Sequence, residues 1–248
     1  MNTIKDFKPC RACKKSSVGA GYILNEEGLV EECFCHKKWK HDEELKLRLN
    51  DANIPTSIMD KDFDTYKGES SRKELEKLKV FVKQFKEIGH KKCLYVYGSH
   101  GTQKTTLAHI VAKHILDKNK SVFYIRTMDL IVKHFSNFNP TEEDEDFINR
   151  ANESDLVIID ECFARKRQTS VSDYQLVALR NYLKDRIENR EKALILISNY
   201  GIDEIVKQGF DKGLADLIAR NTLGGKVLEL QDNYSALSHD FDIDELFT

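Results

Sequence analysis

Short runs of apolar residues alternate with amphipathic stretches from about residue 92 onward. Such runs are typical of buried strands, and apolar residues spaced three or four positions apart are typical of helices. The predicted strands are Cys93–Tyr97, Val122–Ile125, Leu156–Ile159, Leu194–Ser198 and Val227–Leu230. The predicted helices are Lys104–Asp117, Met128–Phe135, Glu142–Ala151, Tyr174–Asn189 and Lys212–Asn221. This alternation predicts an α/β fold with a parallel five-stranded sheet that helices cover on both faces.

One more helix is predicted just before the sheet. Ser71 and Glu74 have the spacing of a capping box, in which each side chain bonds the backbone of the other residue. Beyond them, one face of the helix carries the apolar residues Leu75, Leu78, Val82, Phe85 and Ile88. We therefore expect this helix to pack against the main domain.

Composition and charge favour a soluble protein without a membrane segment. The chain has 248 residues, of which 40% are hydrophobic and 32% are charged, and its net charge is −2. A near-neutral chain can contact nucleic acid only through local basic clusters. The sequence contains neither an apolar run long enough to span a bilayer nor a signal-peptide core. We expect a cytoplasmic location in a bacterial or phage-infected host cell, without membrane contact.

Four of the six cysteines are clustered near the N-terminus, in the patterns "CRAC" and "CFC". Two cysteine pairs separated by a short hairpin-like stretch are typical of a zinc ribbon, whose thiolates hold the metal in a tetrahedron. The expected Zn²⁺ ligands are Cys10, Cys13, Cys33 and Cys35, and His36 in place of Cys35 is an open alternative. Cys93 and Cys162 lie in apolar runs and are expected to be core thiols.

The sequence divides into four parts. The zinc-ribbon module covers residues 1–36, and the main α/β domain covers 71–232. Between them, residues 37–70 resemble a linker with a basic start and one short helix that ends before Pro55. Residues 233–248 form an acidic tail.

A candidate phosphate-binding loop, "GSHGTQKT", lies between the first predicted strand of the sheet and the helix after it. In such a loop, backbone N–H groups and a helix N-terminus surround phosphate, the lysine adds a charge, and the hydroxyl after it binds Mg²⁺. Gln103 replaces the usual glycine before Lys104, and a left-handed backbone there would cost roughly 1–2 kcal/mol. The expected nucleotide-binding residues are Gly98, Ser99, His100, Gly101, Thr102, Gln103, Lys104, Thr105 and Thr106, of which Thr106 is also expected to pack within the helix.

Polar residues follow the next two central strands. The run "LVIIDE" ends in Asp160 and Glu161, which we expect at the edge of the sheet where ligands bind. There Asp160 would support Mg²⁺ together with Thr105, and Glu161 would activate a water molecule for attack on the γ-phosphate. Asn199 ends the following strand and would hold that water or the γ-phosphate, and Arg220 ends a later amphipathic helix.

This order of motifs resembles that of AAA+ ATPases, with Walker A at Gly98–Thr105, Walker B at Asp160 and Glu161, sensor 1 at Asn199 and a box-VII-type arginine at Arg220. More narrowly, the chain resembles replicative helicase loaders of the DnaC/DnaI type, in the versions common in phages. The resemblance rests on "CRAC", "CFC", "ANIP", "FDTY", "GTQKTTLA", "LVIIDE" and "LISNY". The short stretch after the last strand leaves no room for the usual helical lid, which is also reduced in loaders and in the related IstB proteins.

The resemblance implies a function and a set of partners. The zinc module would dock on a hexameric DnaB-type replicative helicase, and ATP-bound subunits would assemble side by side on single-stranded DNA. Each catalytic site would combine Lys104, Asp160, Glu161 and Asn199 of one subunit with Arg220 of the next. Hydrolysis would then release the loader.

Contacts with DNA have the weakest support in the sequence. Basic residues follow the Walker B strand, and a lysine and an aromatic residue follow the second strand of the sheet. Such side chains can hold phosphate and stack on bases, although charge runs are usually solvated surface. The candidate residues are Arg165, Lys166, Arg167, Lys133 and Phe135.

Two alternatives to an ATP-dependent helicase loader remain open. The first is an IstB-like ATPase that assists DNA transposition and would bind duplex DNA and a transposase. The second is a non-hydrolysing adaptor whose nucleotide site is only structural. Gln103 favours that adaptor, whereas Glu161 argues against it, because a structural site needs no water activator.

Overall fold

The structure is a computed structural model, and the residues it describes are 7–66, 68, 71–88, 93–135, 141–163, 173–190, 192–222 and 227–232. The chain forms two compact units, Met1–Asn50 and Asp51–Thr248. Among the described residues, no helix is long and apolar enough to cross a membrane.

The first unit is small. It contains the helices α1 (Arg11–Lys14) and α2 (Phe34–Asp51) and the strands β1 (Tyr22–Leu24) and β2 (Val30–Glu32). The two strands pair antiparallel, as the hairpin-like stretch between the cysteine pairs predicted. In the turn between them, the Asn25 side chain accepts hydrogen bonds from the backbone of Glu27 and Leu29. The hairpin therefore connects the two cysteine-bearing turns.

The second unit is built around a five-stranded parallel sheet, as predicted. Its strands are β3 (Cys93–Tyr97), β4 (Val122–Arg126), β5 (Leu156–Cys162), β6 (Ala193–Ser198) and β7 (Leu228–Glu229). Their order across the sheet is β4-β5-β6-β3-β7, and all neighbouring pairs are parallel. Residues of both strand faces are buried in β3, β5 and β6, because helices cover the sheet on both sides.

Most predicted helices are confirmed. The helices of the second unit are α3 (Arg72–Lys83), α4 (Phe85–Ile88), α5 (Lys104–Asp117), α6 (Thr127–Leu130), α7 (Glu142–Glu153), α8 (Asp173–Lys184), α9 (Ile202–Ile205) and α10 (Lys212–Asn221). Two predicted helices differ from the structure, because each ends in a π-helical segment. These segments are Ile131–Phe135 after α6 and Asp185–Asn189 after α8. A 3.6-residue hydrophobic period cannot reveal such a change.

The strand order creates a crevice at one edge of the sheet. β3 and β6 are neighbours in the middle of the sheet. From β3 the chain continues to β4, which is one outer strand, and from β6 it continues to β7, which is the other. Ligands bind at such switch points, beyond the carboxyl ends of the strands. The loop after β3 and the residue after β6 both lie at this edge.

A buried arginine lies at the opposite end of the sheet, where strands β5 and β6 begin. The guanidinium of Arg186 is 1% exposed and donates to the carbonyl of Ala193, the first residue of β6, at 3.0 and 3.2 Å. It also donates to the carbonyls of Ala151 at 3.0 Å and Ser154 at 2.8 Å, just before β5. The arginine therefore satisfies backbone acceptors where strands β5 and β6 begin.

The region predicted as a linker is more ordered than expected. Its helix, α2, already begins at Phe34 and is 18 residues long. Further on, Ile58 and Phe63 are buried, and His114 of α5 stacks on the Phe63 ring with 5.3 Å between ring centroids. Lys113 of α5 also donates to the carbonyl of Lys61. Apolar residues in this stretch thus pack against α5, while the three predicted boundaries between the four parts stay predictions.

The expected capping box at the start of α3 is wrong. Ser71 does precede α3, but its side chain makes no capping bond within the helix. Instead its hydroxyl accepts a hydrogen bond from the backbone N–H of Gln231 at 3.2 Å, and its own N–H donates to Asp232 at 2.8 Å. Because a segment distant in sequence supplies the partners, the local spacing could not predict this arrangement.

Candidate nucleotide site and cysteine cluster

The candidate phosphate-binding loop, Gly98–Thr105, connects β3 to α5 at the crevice. Its first glycine is needed for space, because a Cβ on Gly98 would overlap the carbonyl oxygen of Leu230 and would lie 3.0 Å from Thr102 Oγ1. Gly101 has a φ of +83°, which favours glycine. The chain folds into the loop where the sequence predicted it.

Gln103 has the left-handed backbone that makes glycine usual at this position. Its φ and ψ are 58° and 26°, and it is the N-cap of α5 without a capping hydrogen bond from its side chain. A residue with a Cβ is strained in this conformation. The departure from the usual loop sequence therefore costs stability but keeps the backbone path of a phosphate-binding loop.

Lys104 is folded back onto the loop. Its Nζ donates to the carbonyls of Gly98 at 2.8 Å and Ser99 at 2.7 Å, and it lies 3.3 Å from Thr102 Oγ1. Burial lowers the pKa of Lys104, and the negative charge of Asp160 opposes that shift. The ammonium group is thus fixed in the loop, at the N-terminus of α5.

Asp160 meets the end of the loop. Its Oδ2 accepts a hydrogen bond of 2.6 Å from Thr105 Oγ1, and its Oδ1 accepts one of 2.7 Å from the N–H of Glu161. The carboxylate is 5% exposed, so its negative charge is directed into the site. A hydroxyl and a carboxylate in contact offer the oxygen ligands that Mg²⁺ prefers.

Two further residues that the sequence analysis did not identify surround Asp160. The phenol of Tyr124, on β4, donates to Asp160 Oδ2 at 2.9 Å, and Thr127 Oγ1 donates to the Asp160 carbonyl at 2.9 Å. Burial and the Asp160 charge raise the pKa of Tyr124, so the phenol keeps its proton. In the sequence, Tyr124 occupies a strand position typical of a core residue. Only the pairing of β4 with β5 shows that its phenol contacts Asp160.

Glu161 and Asn199 lie at the same edge of the sheet. Glu161 is exposed and has a left-handed backbone with a φ of 56°. Asn199 directly follows β6, and its Nδ2 lies 3.2 Å from His100 Nε2 in the loop. The carboxylate that we expect to activate water is therefore open to solvent, and the amide already contacts the loop.

Arg220 is separate from this group. It lies at the end of α10, is exposed, and donates from Nε to the carbonyl of Asp216 at 3.2 Å. Among the described residues, no hydrogen bond or ion pair joins it to Lys104, Asp160 or Glu161. Within one chain the arginine is a solvated end of a helix.

The four N-terminal cysteines converge, as the zinc-ribbon pattern predicted. Cys10 Sγ lies 3.8 Å from Cys13 Sγ and 3.7 Å from Cys33 Sγ, and Cys35 Sγ lies 3.4 Å from Cys13 Sγ and 3.5 Å from Cys33 Sγ. All four sulfurs lie within 4.8 Å of one another. Four thiolates at about 2.3 Å from Zn²⁺ in a tetrahedron would lie about 3.8 Å apart, so the cluster fits this metal.

Two further observations concern the four-cysteine set. Hydrogen bonds from the backbone N–H groups of Cys13 and Ala12 lower the pKa of Cys10 to about 6, whereas burial and the neighbouring thiols raise the pKa of Cys35 to about 12, so Cys10 is the more readily ionised of these two thiols. His36 instead directs Nδ1 to Glu32 Oε1 at 2.8 Å and stacks on Trp39. The alternative in which His36 replaces Cys35 is therefore disfavoured.

The candidate DNA contacts gain little from the structure. Lys133 lies 3.7 Å from Asp144 Oδ1 and 5.2 Å from the centroid of the Phe147 ring. The adjoining groove, with a volume of about 420 Å³, is also lined by Glu142, Glu143, Asp146 and Arg150, so acidic side chains outnumber basic ones there. Such acidic surroundings repel a phosphate backbone. The side chain of Phe135 and all of Arg165, Lys166 and Arg167 lie outside the described residues.

Comparisons with solved structures find the same fold in several proteins. The DnaC helicase loader matches 71% of this chain and 99% of its own, with 22% identity and a TM-score of 0.57. DnaI matches 72% of this chain and 94% of its own, with 18% identity and a TM-score of 0.55. AMPPCP-bound DnaA from Aquifex aeolicus matches 66% of this chain and 47% of its own, with 21% identity and a TM-score of 0.51. At these identities the likeness concerns the fold.

Sequence comparison gives the family. No curated protein matches the chain. The sequence profile described as "IstB-like ATP binding protein" matches residues 14–235, which include the loop, Asp160, Glu161 and Asn199. Because this match covers most of the chain, the chain belongs to the family of IstB-like ATP-binding proteins.

Proposed function

We propose that this protein is an AAA+ ATPase that loads a DnaB-type hexameric replicative helicase onto single-stranded DNA. The observation that carries the ATPase part is the 2.6 Å hydrogen bond between Thr105 and Asp160, which joins the phosphate-binding loop to the acidic end of β5. A loop of this type next to a buried carboxylate is the arrangement that Mg-ATP requires. Membership in an ATP-binding family supports the same conclusion.

In this proposal, the loop binds the triphosphate. Backbone N–H groups of the loop and the N-terminus of α5 attract phosphate oxygens. Lys104 would exchange its present bonds to the carbonyls of Gly98 and Ser99 for bonds to phosphate. Thr105 and Asp160 would hold Mg²⁺, which neutralises phosphate charge when bound.

The hydrolytic step is assigned to Glu161. Its carboxylate would accept a proton from the attacking water, and the Asn199 amide would orient that water or the γ-phosphate. Arg220 is exposed at the end of α10, so it would reach the site of a neighbouring subunit rather than its own. A complete site would therefore form only when ATP-bound subunits assemble.

The loader part of the proposal rests on two features. The fold is similar to that of the DnaC helicase loader and of DnaI. A separate N-terminal unit carries four cysteines in a zinc-sized cluster, which suits a small docking module stabilised by a metal. We assign helicase docking to this module, and the protein would act in the cytoplasm, where the helicase meets DNA.

Co-purification tests the loader assignment directly. The full-length chain should retain a DnaB-type helicase in the presence of ATP, and less of it after Cys13→Ser. Hydrolysis of ATP should increase when single-stranded DNA is added. Failure to bind the helicase in any nucleotide state would refute the loader, and it would leave the nucleotide site untouched.

The family match keeps an IstB-like role in DNA transposition as a second candidate. Such a protein would bind duplex DNA and a transposase, and single-stranded DNA would not stimulate it. A non-hydrolysing adaptor is a third candidate, and it predicts nucleotide binding without turnover under every condition. Turnover measured with no DNA, duplex DNA and single-stranded DNA therefore separates the three functions.

A further inference from the structure

Two hydroxyl groups donate to the same oxygen of Asp160. Thr105 Oγ1 lies 2.6 Å from Asp160 Oδ2, and the phenol oxygen of Tyr124 lies 2.9 Å from it. We propose that Tyr124 is a positioning residue of the magnesium site, which holds the Asp160 carboxylate in the orientation that Mg²⁺ needs. This role rests on the proposed function, in which Thr105 and Asp160 bind the metal.

The parallel register explains why Tyr124 reaches this carboxylate. Tyr124 of β4 is paired with Ile158 of β5, and Arg126 is paired with Asp160. Since side chains alternate along a strand, Ile158 and Asp160 lie on one face of the sheet, and Tyr124 lies diagonally opposite Asp160 on that face. A tyrosine is long enough to span this diagonal, whereas an aliphatic residue has no group to donate.

Helix α5 holds the tyrosine in place. Thr105 and His109 lie one turn apart on α5, and therefore on the same face of the helix. The His109 ring packs edge to face against Tyr124, with 4.7 Å between ring centroids and 73° between ring planes. His109 is 8% exposed, so this contact is buried. One face of α5 thus provides both Thr105 and the ring that fixes Tyr124.

Few other hydrogen bonds orient Oδ2 of Asp160, the oxygen that faces the loop. Its Oδ1 is held by the N–H of Glu161 at 2.7 Å, while Oδ2 receives only the two hydroxyls among the described contacts. Without the phenol, the carboxylate can rotate away from Thr105. Loss of an outer-shell partner commonly weakens metal binding 10- to 100-fold, so we expect about a ten-fold effect here.

The test compares Tyr124→Phe with Tyr182→Phe. Tyr182 is a matched control, because its buried hydroxyl donates to the Ala151 carbonyl at 2.8 Å, near the opposite edge of the sheet. Binding of a fluorescent, non-hydrolysable ATP analogue is titrated in EDTA and then across a Mg²⁺ series. Thermal melting of each full-length variant checks that it is folded.

The proposal predicts a specific separation of effects. Tyr124→Phe should bind the analogue as the wild type does in EDTA, within about two-fold, but should need about ten-fold more Mg²⁺ for half-maximal effect. Tyr182→Phe should match the wild type in both conditions. In an Asp160→Ala background, Tyr124→Phe should have no further effect, because the two residues act through one hydrogen bond.

Contrary results are distinguishable from failure of the proposed function. If the wild type responds to Mg²⁺ and Tyr124→Phe responds at the same or a lower concentration, the positioning role is overturned and the nucleotide site stands. An additive effect of Tyr124→Phe in the Asp160→Ala background would also overturn it. A wild-type protein that binds no nucleotide would overturn the proposed function together with this role.

Discussion

Thr105 and Asp160 are 55 positions apart in the sequence, yet their side-chain oxygens lie 2.6 Å apart. The threonine lies in the first turn of α5 and the aspartate lies near the end of β5, so the contact fixes how α5 packs against the sheet. The same two oxygens are suited to Mg²⁺. One short hydrogen bond therefore connects the packing of the second unit with its proposed chemistry.

Replacing Lys104 by alanine should abolish nucleotide binding. The change removes the ammonium group at the loop, and losing one member of a buried charge pair costs about 2–5 kcal/mol of binding free energy. Equilibrium titration with a fluorescent ATP analogue measures the effect. Lys118→Ala is the control, because Lys118 caps the other end of α5 and donates to the carbonyl of Val82. If Lys104→Ala bound the ATP analogue as tightly as the control, the loop would not be part of the nucleotide site.

Replacing Glu161 by glutamine should leave nucleotide binding intact and stop hydrolysis. Glutamine keeps the shape of the side chain but cannot accept a proton from water, and general bases contribute about 10²–10⁴-fold to rate. Release of phosphate is measured at saturating ATP, with Glu143→Gln on α7 as a surface control. Normal turnover in Glu161→Gln would show that another group activates the water.

Arg220 can be tested by mixing two inactive variants. Arg220→Ala and Glu161→Gln should each hydrolyse ATP poorly, because each lacks one half of a shared site. In a one-to-one mixture, about a quarter of the interfaces would combine an intact Glu161 with an intact Arg220, so activity should return. A mixture as inactive as its components would contradict a role in a neighbouring site.

Removing zinc should unfold the first unit alone. Because a segment this small has little apolar core, metal binding supplies its folding free energy, which is about 10–16 kcal/mol for comparable sites. Metal analysis should give one Zn²⁺ per chain, and chelation should abolish protection of residues 7–36 from hydrogen exchange while nucleotide binding persists. Cys13→Ser should lose the metal, whereas Cys93→Ala, at a core cysteine that is 1% exposed, should keep it. Full metal content in Cys13→Ser would show that the four-cysteine cluster is not the zinc site.

Replacing Gln103 by glycine should stabilise the second unit. The left-handed backbone at Gln103 strains any residue with a Cβ, so glycine should raise the free energy of unfolding by about 1 kcal/mol. Denaturant unfolding measures the difference. Ser99→Gly, in the same loop but without a positive φ, should give no such gain. A loss of stability in Gln103→Gly would mean that the glutamine side chain makes a stabilising contact.

Much of the fold followed from hydrophobic patterning. The runs around β3 and α5 gave correct ends for both elements, because a buried strand, a glycine-rich loop and an amphipathic helix follow one another directly. Glycine and lysine spacing placed the loop, and paired cysteines placed the metal-sized cluster. These features are local, so the sequence contains them in full.

The features that the sequence did not reveal depend on contacts between distant segments. The spacing of Ser71 and Glu74 predicts a local cap, but the hydrogen-bond partners of Ser71 are Gln231 and Asp232. Tyr124 reads as a core residue until β4 is paired with β5, and only then does its phenol meet Asp160.

Arg186 stabilises the end of the sheet opposite the proposed nucleotide site. Its guanidinium binds backbone carbonyls where β5 and β6 begin, while Asp160, Glu161 and Asn199 lie at the other ends of the same strands. Substitutions among those reactive residues therefore leave the anchoring end untouched. At the exposed Glu161, activity and thermal stability should therefore vary independently, and a variant that melts normally can still be inactive.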